Sequence, residues 1–186
     1  MRGQWTALTV TLAIQAMVAM AVLTLPVMAP AVAQALGASA AYTGVYVAIV
    51  YAGAMAASLA GGTAVARWGA IRVSQAGLVL CAAGLALCAV PSLAAMALGA
   101  FLIGLGYGPI TPASSHLLAR TTPAHRMSLV FSIKQTGVPL GGVLVGAIVP
   151  GAAVVAGWQG ALLLVAAGNL VCALIAQPLR PALDED

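Results

Sequence analysis

Long, nearly uncharged apolar runs are the feature that most restricts how this sequence folds. A helix needs about 20 mostly apolar residues to cross the hydrocarbon of a membrane, and six runs come close to or exceed that length. They lie near residues 6–30, 43–66, 72–90, 93–117, 127–150 and 158–178. None has the period-two alternation of a membrane β-barrel strand. The runs predict an all-α membrane protein, with one domain of six transmembrane helices over residues 1–186.

The composition agrees with a membrane setting. Hydrophobic residues make up 63% of the chain and charged residues 5%, whereas a soluble domain has about 25% charged residues. The first run resembles a signal peptide, because Arg2 precedes it and small residues follow it at 29–35. From Thr6 to Val27, however, it is longer than the roughly 7–15 residues of a signal core. We therefore expect it to be retained as the first transmembrane helix.

The basic residues predict the orientation, because Lys and Arg are concentrated in cytoplasmic loops. Arginines occur before the first run, after the second, between the fourth and fifth, and after the sixth, whereas the other connections carry no charge. These arginines are Arg2, Arg67, Arg72, Arg120, Arg126 and Arg180. We expect a multi-pass protein of a bacterial-type cytoplasmic (inner) membrane with both termini in the cytoplasm. The net charge of +4 then reflects topology, and we expect no nucleic-acid partner.

The residues that could carry enzyme chemistry are scattered. Cys81, Cys88 and Cys172 all fall inside apolar runs, with no spacing typical of a metal site or of a disulfide framework. His116 and His125 have no carboxylate or nucleophile beside them in sequence. We therefore expect no enzyme, no metal and no cofactor.

The two triplets of helices match each other weakly. Helix one contains "PVMAP" near its outer end, and helix four contains "PITPA" towards its inner end. In helices two and five, "VAIVYAG" aligns with "FSIKQTG", which pairs Val50 with Lys134 and Gly53 with Gly137. Breaks at matching positions on opposite sides are typical of inverted repeats in transporters. We therefore predict two inverted three-helix repeats.

The connection after helix two resembles the signature of the major facilitator superfamily. That signature has a glycine, three residues, an aspartate, a basic residue, any residue, a glycine, any residue and two basic positions. Gly62, Arg67, Gly69 and Arg72 match it, whereas Ala66 stands at the aspartate and Ile71 at one basic position. Glycine at Gly69 permits a tight turn. In the family the aspartate belongs to a gating charge network, so the resemblance does not extend to that network here.

Helices four and five add to this resemblance. "GLGYG" in helix four places Gly104 and Gly106 at the glycines of a family pattern, although Ala100 stands where that pattern has arginine. "GVPLGG" in helix five is similar to the glycine- and proline-rich signature of many exporters of the family. We expect its residues to pack closely against neighbouring helices and the proline to kink the helix; they are Gly137, Pro139, Gly141 and Gly142.

The resemblance implies half of the family's usual fold. Facilitators normally have twelve helices in two six-helix halves, and this chain resembles the N-terminal half. A complete transporter would then need a separately encoded C-terminal half or a same-orientation homodimer, since the halves are parallel repeats. The implied function is alternating-access transport of a small solute. In the family, helices one, two, four and five line the cavity and helices three and six are peripheral.

Lys134 is the strongest candidate for a functional residue. It lies roughly 10 Å beyond Met127 along helix five, and a lysine at such depth costs at least about 2.5–3.5 kcal/mol. No Asp or Glu precedes Asp184. We predict that Lys134 faces the cavity and binds a small anion, together with Gln135, Gln15 and Tyr51. The alternative is that Lys134 extends towards the cytoplasm and only reinforces topology.

Two other classes of function stay open. A substrate-binding subunit of a multi-component importer has a similar length and hydropathy, and a truncated fragment without transport activity would explain the missing half. Asn169, in helix six, is interpreted as the source of a hydrogen bond between helices. The signature at Gly62 to Arg72 favours the half-transporter.

Overall fold

The computed structural model describes residues 2–39 and 41–184, except for the side chain of Arg2. Every regular secondary-structure element in these residues is a helix. The α-helices are α1 Arg2–Val27, α2 Ala29–Leu36, α3 Tyr42–Trp68, α4 Ala70–Cys88, α5 Leu93–Tyr107, α6 Ile110–Thr121, α7 Met127–Gln135, α8 Gly137–Ala176 and α9 Arg180–Asp184. Two short 3₁₀ helices, Ala124–Arg126 before α7 and Gln177–Leu179 between α8 and α9, accompany the α-helices. The all-α prediction is confirmed.

Three of the six predicted crossings contain a break between two helices, and one of these breaks is at Thr136, between α7 and α8. The first crossing breaks at Met28, between α1 and α2, where Pro26 and Pro30 flank the break. The fourth breaks between Tyr107 and Ile110, beside Pro109. Proline removes a backbone donor and disturbs the helix. The breaks of the first and fourth crossings fall at "PVMAP" and "PITPA", the two segments that the repeat analysis paired. The inverted repeat itself stays a prediction.

Helix α8 contains a sharp reversal. Gly157 has φ 72° and ψ 171°, which is not helical. A Cβ placed on Gly141 would lie 2.5 Å from the carbonyl oxygen of Ala16, and one on Gly168 would lie 3.0 Å from Cε of Met17. A straight helix would hold these two glycines roughly 40 Å apart. Because both reach the same turn of α1, the chain folds back at Gly157.

By length and composition, five stretches of the described residues are able to cross a membrane. They are Gly3–Val27, Tyr42–Trp68, Ala70–Cys88, Leu93–Thr121 and Ala124–Asp184. The last stretch has 61 residues and contains the reversal at Gly157, so it supplies two crossings. The side chains of Leu59, Val154 and Val155 are 88–89% exposed, which suits contact with lipid. The structure is consistent with the membrane fold of a transporter.

Glycines bring α5 into direct contact with two neighbouring helices. A Cβ on Gly104 would touch the carbonyl oxygen of Val50 in α3, and one on Gly106 would touch that of Gly77 in α4. Helices in lipid associate through such close approach, because lipid tails remove the hydrophobic drive between them. Helix α5 is therefore held between α3 and α4.

We expect the substitution Gly104→Ala to lower the free energy of unfolding by roughly 1–3 kcal/mol, because backbone atoms cannot move aside for an added methyl group. The matched control is Gly146→Ala, since a Cβ on Gly146 would meet nothing within 4 Å. The control should be neutral or stabilising by up to about 1 kcal/mol. Thermal unfolding of both variants in detergent micelles measures the difference; equal stability would contradict the packing described for α5.

Asn169 and two of the cysteines contact backbone carbonyl oxygens in the helix interior. Nδ2 of Asn169 donates to the carbonyl oxygen of Val165 at 2.9 Å, so this described bond lies within one helix, whereas the sequence interpretation had placed it between helices. The thiols of Cys81 and Cys88 contact the carbonyl oxygens of Ile103 and Met96, each at 3.7 Å. Among the described residues, the three cysteines are free thiols.

Candidate functional site

The turn between α3 and α4 is built around Gly69, which ends α3 and precedes α4. Gly69 has φ 88° and ψ 156°, a backbone conformation that is essentially restricted to glycine. Arg67 and Arg72 are exposed on either side of it, and Gly62 is exposed one to two turns earlier. A Cβ on Gly62 would meet nothing within 4 Å. Of the two signature glycines, Gly69 is therefore the one that the local geometry requires.

Asp184 binds this turn from the far end of the chain. Its Oδ1 accepts the backbone N–H of Ile71 at 2.8 Å, and its Oδ2 accepts that of Arg72 at 3.1 Å. The first N–H groups of a helix lack partners within the helix, and a negative charge is favourable there. A Cβ on Gly69 would lie 2.5 Å from Cγ of Asp184. The carboxylate thus caps α4 and also fills the space beside Gly69.

The role of Asp184 was missed by the sequence reasoning, which compared only the residues of the local signature. That comparison found Ala66 where the family has aspartate, and the acid that reaches the turn is 113 positions from Ile71. A signal was nevertheless available. Asp184 is the first acidic residue of the chain, and it lies on the side predicted to carry the turn.

A cavity of about 710 Å³ opens beside the same turn. Its lining includes Arg67, Arg120, Arg180 and His116, and Asp184 is its one described carboxylate. These side chains come from α3, α6 and the end of the chain. Three of the six arginines predicted to be cytoplasmic therefore line one cavity at one end of the helix bundle.

Lys134 lies on the inner face of α7. Its side chain is 2% exposed, and the buried Val130 lies one turn before it on the same face. Helix α7 packs against α1 and α6. Within the described residues, no hydrogen bond or ion pair joins the ammonium of Lys134 to another group. The lysine is therefore enclosed by the bundle and is not exposed at its surface.

Gln15 lies close to the level of Lys134 on the facing helix. A Cβ on Gly137, one turn beyond Lys134, would lie 2.8 Å from Cβ of Gln15. Gln15 is also 2% exposed, and its Oε1 is buried without a hydrogen-bond partner among the described residues. A buried amide oxygen that lacks a donor is costly. The interface between α1 and α7–α8 therefore holds a buried acceptor and a buried lysine, each without a hydrogen-bond partner among the described residues.

The other two predicted binding residues lie elsewhere. Gln135 is exposed, because successive residues of a helix point about 100° apart. Tyr51 is 51% exposed, and its ring packs edge-on against that of Tyr107 with centroids 6.5 Å apart. Lys134 and Gln15 are both buried where α7 and the start of α8 pack against α1, whereas Gln135 and Tyr51 lie on the surface.

The predicted packing residues of helix five contact α1. A Cβ on Gly137 would meet Gln15, and one on Gly141 would meet Ala16 and Ala19. Gly142 is less constrained, because its Cβ would lie 3.6 Å from Leu23. Pro139 is exposed in the first turn of α8, where its missing N–H disturbs the helix least.

No group of three or more His, Cys, Asp or Glu side chains able to hold a metal ion occurs in the part of the chain that the structure describes. A search of curated proteins finds no match to this chain. The family model described as Major Facilitator Superfamily matches residues 10–185, which include the turn at Gly69, the helix breaks and Lys134. The helical bundle and this match over nearly the whole chain agree, and the chain therefore belongs to the major facilitator superfamily.

Proposed function

We propose that this chain is half of a secondary transporter and moves a small anion by alternating access. The observation that carries the proposal is the burial of Lys134, which is 2% exposed and has no acidic partner among the described residues. A charged lysine in a membrane interior is costly, and buried charges are ordinarily paired. A bound anion would supply the missing partner.

Gln15 supports the same site. Its unpartnered Oε1 lies where an ammonium at Lys134 or a polar group of a solute would find an acceptor. The alternative for Lys134 is extension of the ammonium to the cytoplasmic surface. Its 2% exposure favours the buried site over this alternative.

Gln135 and Tyr51 are proposed to line the route by which the solute reaches Lys134. Both are exposed on this half, as expected for residues that face a second half. Aligned positions of helices two and five also have matching burial. Val50 and Lys134 are buried, and Tyr51 and Gln135 are exposed. This agreement supports the inverted-repeat prediction.

The second half is proposed to be another copy of this chain in the same orientation, or a separate C-terminal half. Members of the family form the cavity between two halves related by an axis along the membrane normal, and 186 residues are about half the usual length. Two copies would place two Lys134 side chains around one cavity and favour anions. The family match favours a transporter over the substrate-binding subunit of an importer. The assembly test below distinguishes a half-transporter from a truncated fragment.

Crosslinking in native membranes, followed by anion exchange in liposomes, tests this assembly. Single cysteines at Tyr51 or Gln135 should form crosslinks between parallel copies or to a second half, because both positions are proposed to face the cavity. The crosslinked species should coincide with the species that exchanges labelled carboxylates. A strictly monomeric chain without exchange activity would contradict the half-transporter proposal. The interpretation as a truncated fragment would then remain.

The proposed topology places both termini in the cytoplasm of a bacterial-type inner membrane. A cysteine at Ser39 should react with a membrane-impermeant maleimide from outside, and a cysteine at Trp68 should react only from inside. Both positions are exposed, whereas Ala70 is 5% exposed and would label poorly. The parent chain controls for labelling of its own cysteines. Reaction of both positions from the same side would overturn the orientation or the number of crossings.

A further inference from the structure

The cavity of about 710 Å³ beside the turn at Gly69 gathers basic side chains from distant parts of the sequence. Asp184 is the one carboxylate among the described residues of its lining. Three guanidinium groups and one imidazole line the same space; they are Arg67 of α3, His116 and Arg120 of α6, and Arg180 of α9. The described lining therefore has an excess of positive charge.

Asp184 does not pair with these arginines in the described structure. Its two carboxylate oxygens accept the backbone N–H groups of Ile71 and Arg72, at the start of α4. Within the described residues, no hydrogen bond or ion pair joins the guanidinium of Arg67 or of Arg180 to another group. Arg67 is exposed and Arg180 is half-buried. Both are therefore able to bind an anion that enters the cavity.

The length of α3 places this cavity at the level of the lipid headgroups. Helix α3 has 27 residues and is roughly 40 Å long, which matches the about 40–45 Å of a bilayer with its headgroup layers. Arg67 and Trp68 are the last two residues of this helix. Trp68 is 55% exposed, and tryptophan is enriched at membrane–water interfaces. The cavity therefore borders a headgroup layer, which the proposed topology identifies as that of the inner leaflet.

The chemistry of the lining suits a phosphate without a cation beside it. A guanidinium donates two parallel N–H bonds to phosphate oxygens, and basic pockets between transmembrane helices on the cytoplasmic side bind anionic headgroups. A zwitterionic headgroup brings its own cation, which the arginines of the lining would repel. Phosphatidylglycerol has a phosphate and no cation. The lining therefore favours an anionic phospholipid over a zwitterionic one.

We propose that this cavity binds the phosphate of an anionic phospholipid of the phosphatidylglycerol type. Arg67 and Arg180 bind the phosphate oxygens, and Arg120 adds positive charge to the same cavity. The inference does not depend on the proposed transport function. A bound phosphate would link α3 to α9, and so would hold the segment that carries Asp184 against the turn. The lipid is therefore expected to stabilise this end of the bundle.

Native mass spectrometry of the chain in detergent measures this binding, with phosphatidylglycerol and phosphatidylcholine of the same acyl chains as probes. Phosphatidylglycerol should bind roughly tenfold more tightly or better, since each basic residue near a lipid surface contributes a factor of about five. Arg67→Gln and Arg180→Gln should each weaken its binding by about fivefold. The matched control is Arg126→Gln, which removes the same charge from a residue outside the cavity lining, and its binding should be unchanged.

Equal losses in all three variants would reveal a response to net charge alone and would overturn the site, as would equal affinity for the two lipids. Glycerol phosphate distinguishes a lipid from a soluble phosphate compound. If it bound as tightly as phosphatidylglycerol, the cavity would be a site for soluble phosphates and the lipid proposal would be wrong. Thermal unfolding gives a second measurement, because a ligand of the folded state raises its stability. Phosphatidylglycerol should stabilise the wild type and Arg126→Gln more than Arg67→Gln; equal stabilisation would contradict the proposal.

Discussion

Replacing Lys134 with Met is expected to abolish anion transport while leaving membrane insertion intact or improved. Methionine keeps an unbranched side chain of similar length but has no charge to pair with an anion. Its insertion avoids the roughly 2.5–3.5 kcal/mol cost of a lysine in the membrane interior. Exchange of labelled carboxylates in liposomes measures the loss, and the yield of membrane-inserted protein measures insertion.

The matched control for this substitution is Ile133→Met. Ile133 is the preceding residue of α7, is half-buried and is apolar, so the control adds a methionine without removing a charge. Such exchanges of similar volume usually cost less than about 1.5 kcal/mol, and exchange activity should persist. Wild-type transport by Lys134→Met would show that the lysine contributes to topology and not to recognition.

The substitution Gly69→Ala is expected to destabilise the turn between α3 and α4 by roughly 1–3 kcal/mol from backbone strain alone. Gly69 has a positive φ of 88°, which side chains other than glycine rarely adopt. The added methyl group would also lie 2.5 Å from Cγ of Asp184 and would displace the carboxylate that caps α4. Thermal unfolding in detergent and maleimide labelling of a cysteine at Trp68 should both report a loosened turn.

Gly62→Ala is the matched control, because Gly62 belongs to the same signature but has open space around its Cα. It lies within α3, where alanine is favoured over glycine by up to about 1 kcal/mol. A double variant that combines Gly69→Ala with Asp184→Ala separates the cost of backbone strain from the cost of the steric contact with Asp184. Removal of Asp184 should relieve the steric part and leave the strain. Equal stability of Gly69→Ala and Gly62→Ala would contradict the role of the turn.

The amino-acid sequence determined the class of fold and the position of the glycine turn between α3 and α4. Apolar runs of spanning length commit the chain to helices, because backbone groups in lipid must be satisfied within the segment itself. The family signature was recognisable because its residues are adjacent in sequence and act within one turn. Gly69 is the clearest case, since its positive φ is a local requirement that one residue type meets.

The tertiary structure alone decided which side chains meet. Asp184 reaches the turn from 113 positions away, and Lys134 is buried on the side of α7–α8 that packs against α1, whereas the adjacent Gln135 is exposed. These outcomes depend on how helices rotate and approach one another. In lipid that packing is set by small residues and close backbone contact. The hydropathy of a uniformly apolar run does not predict such contacts.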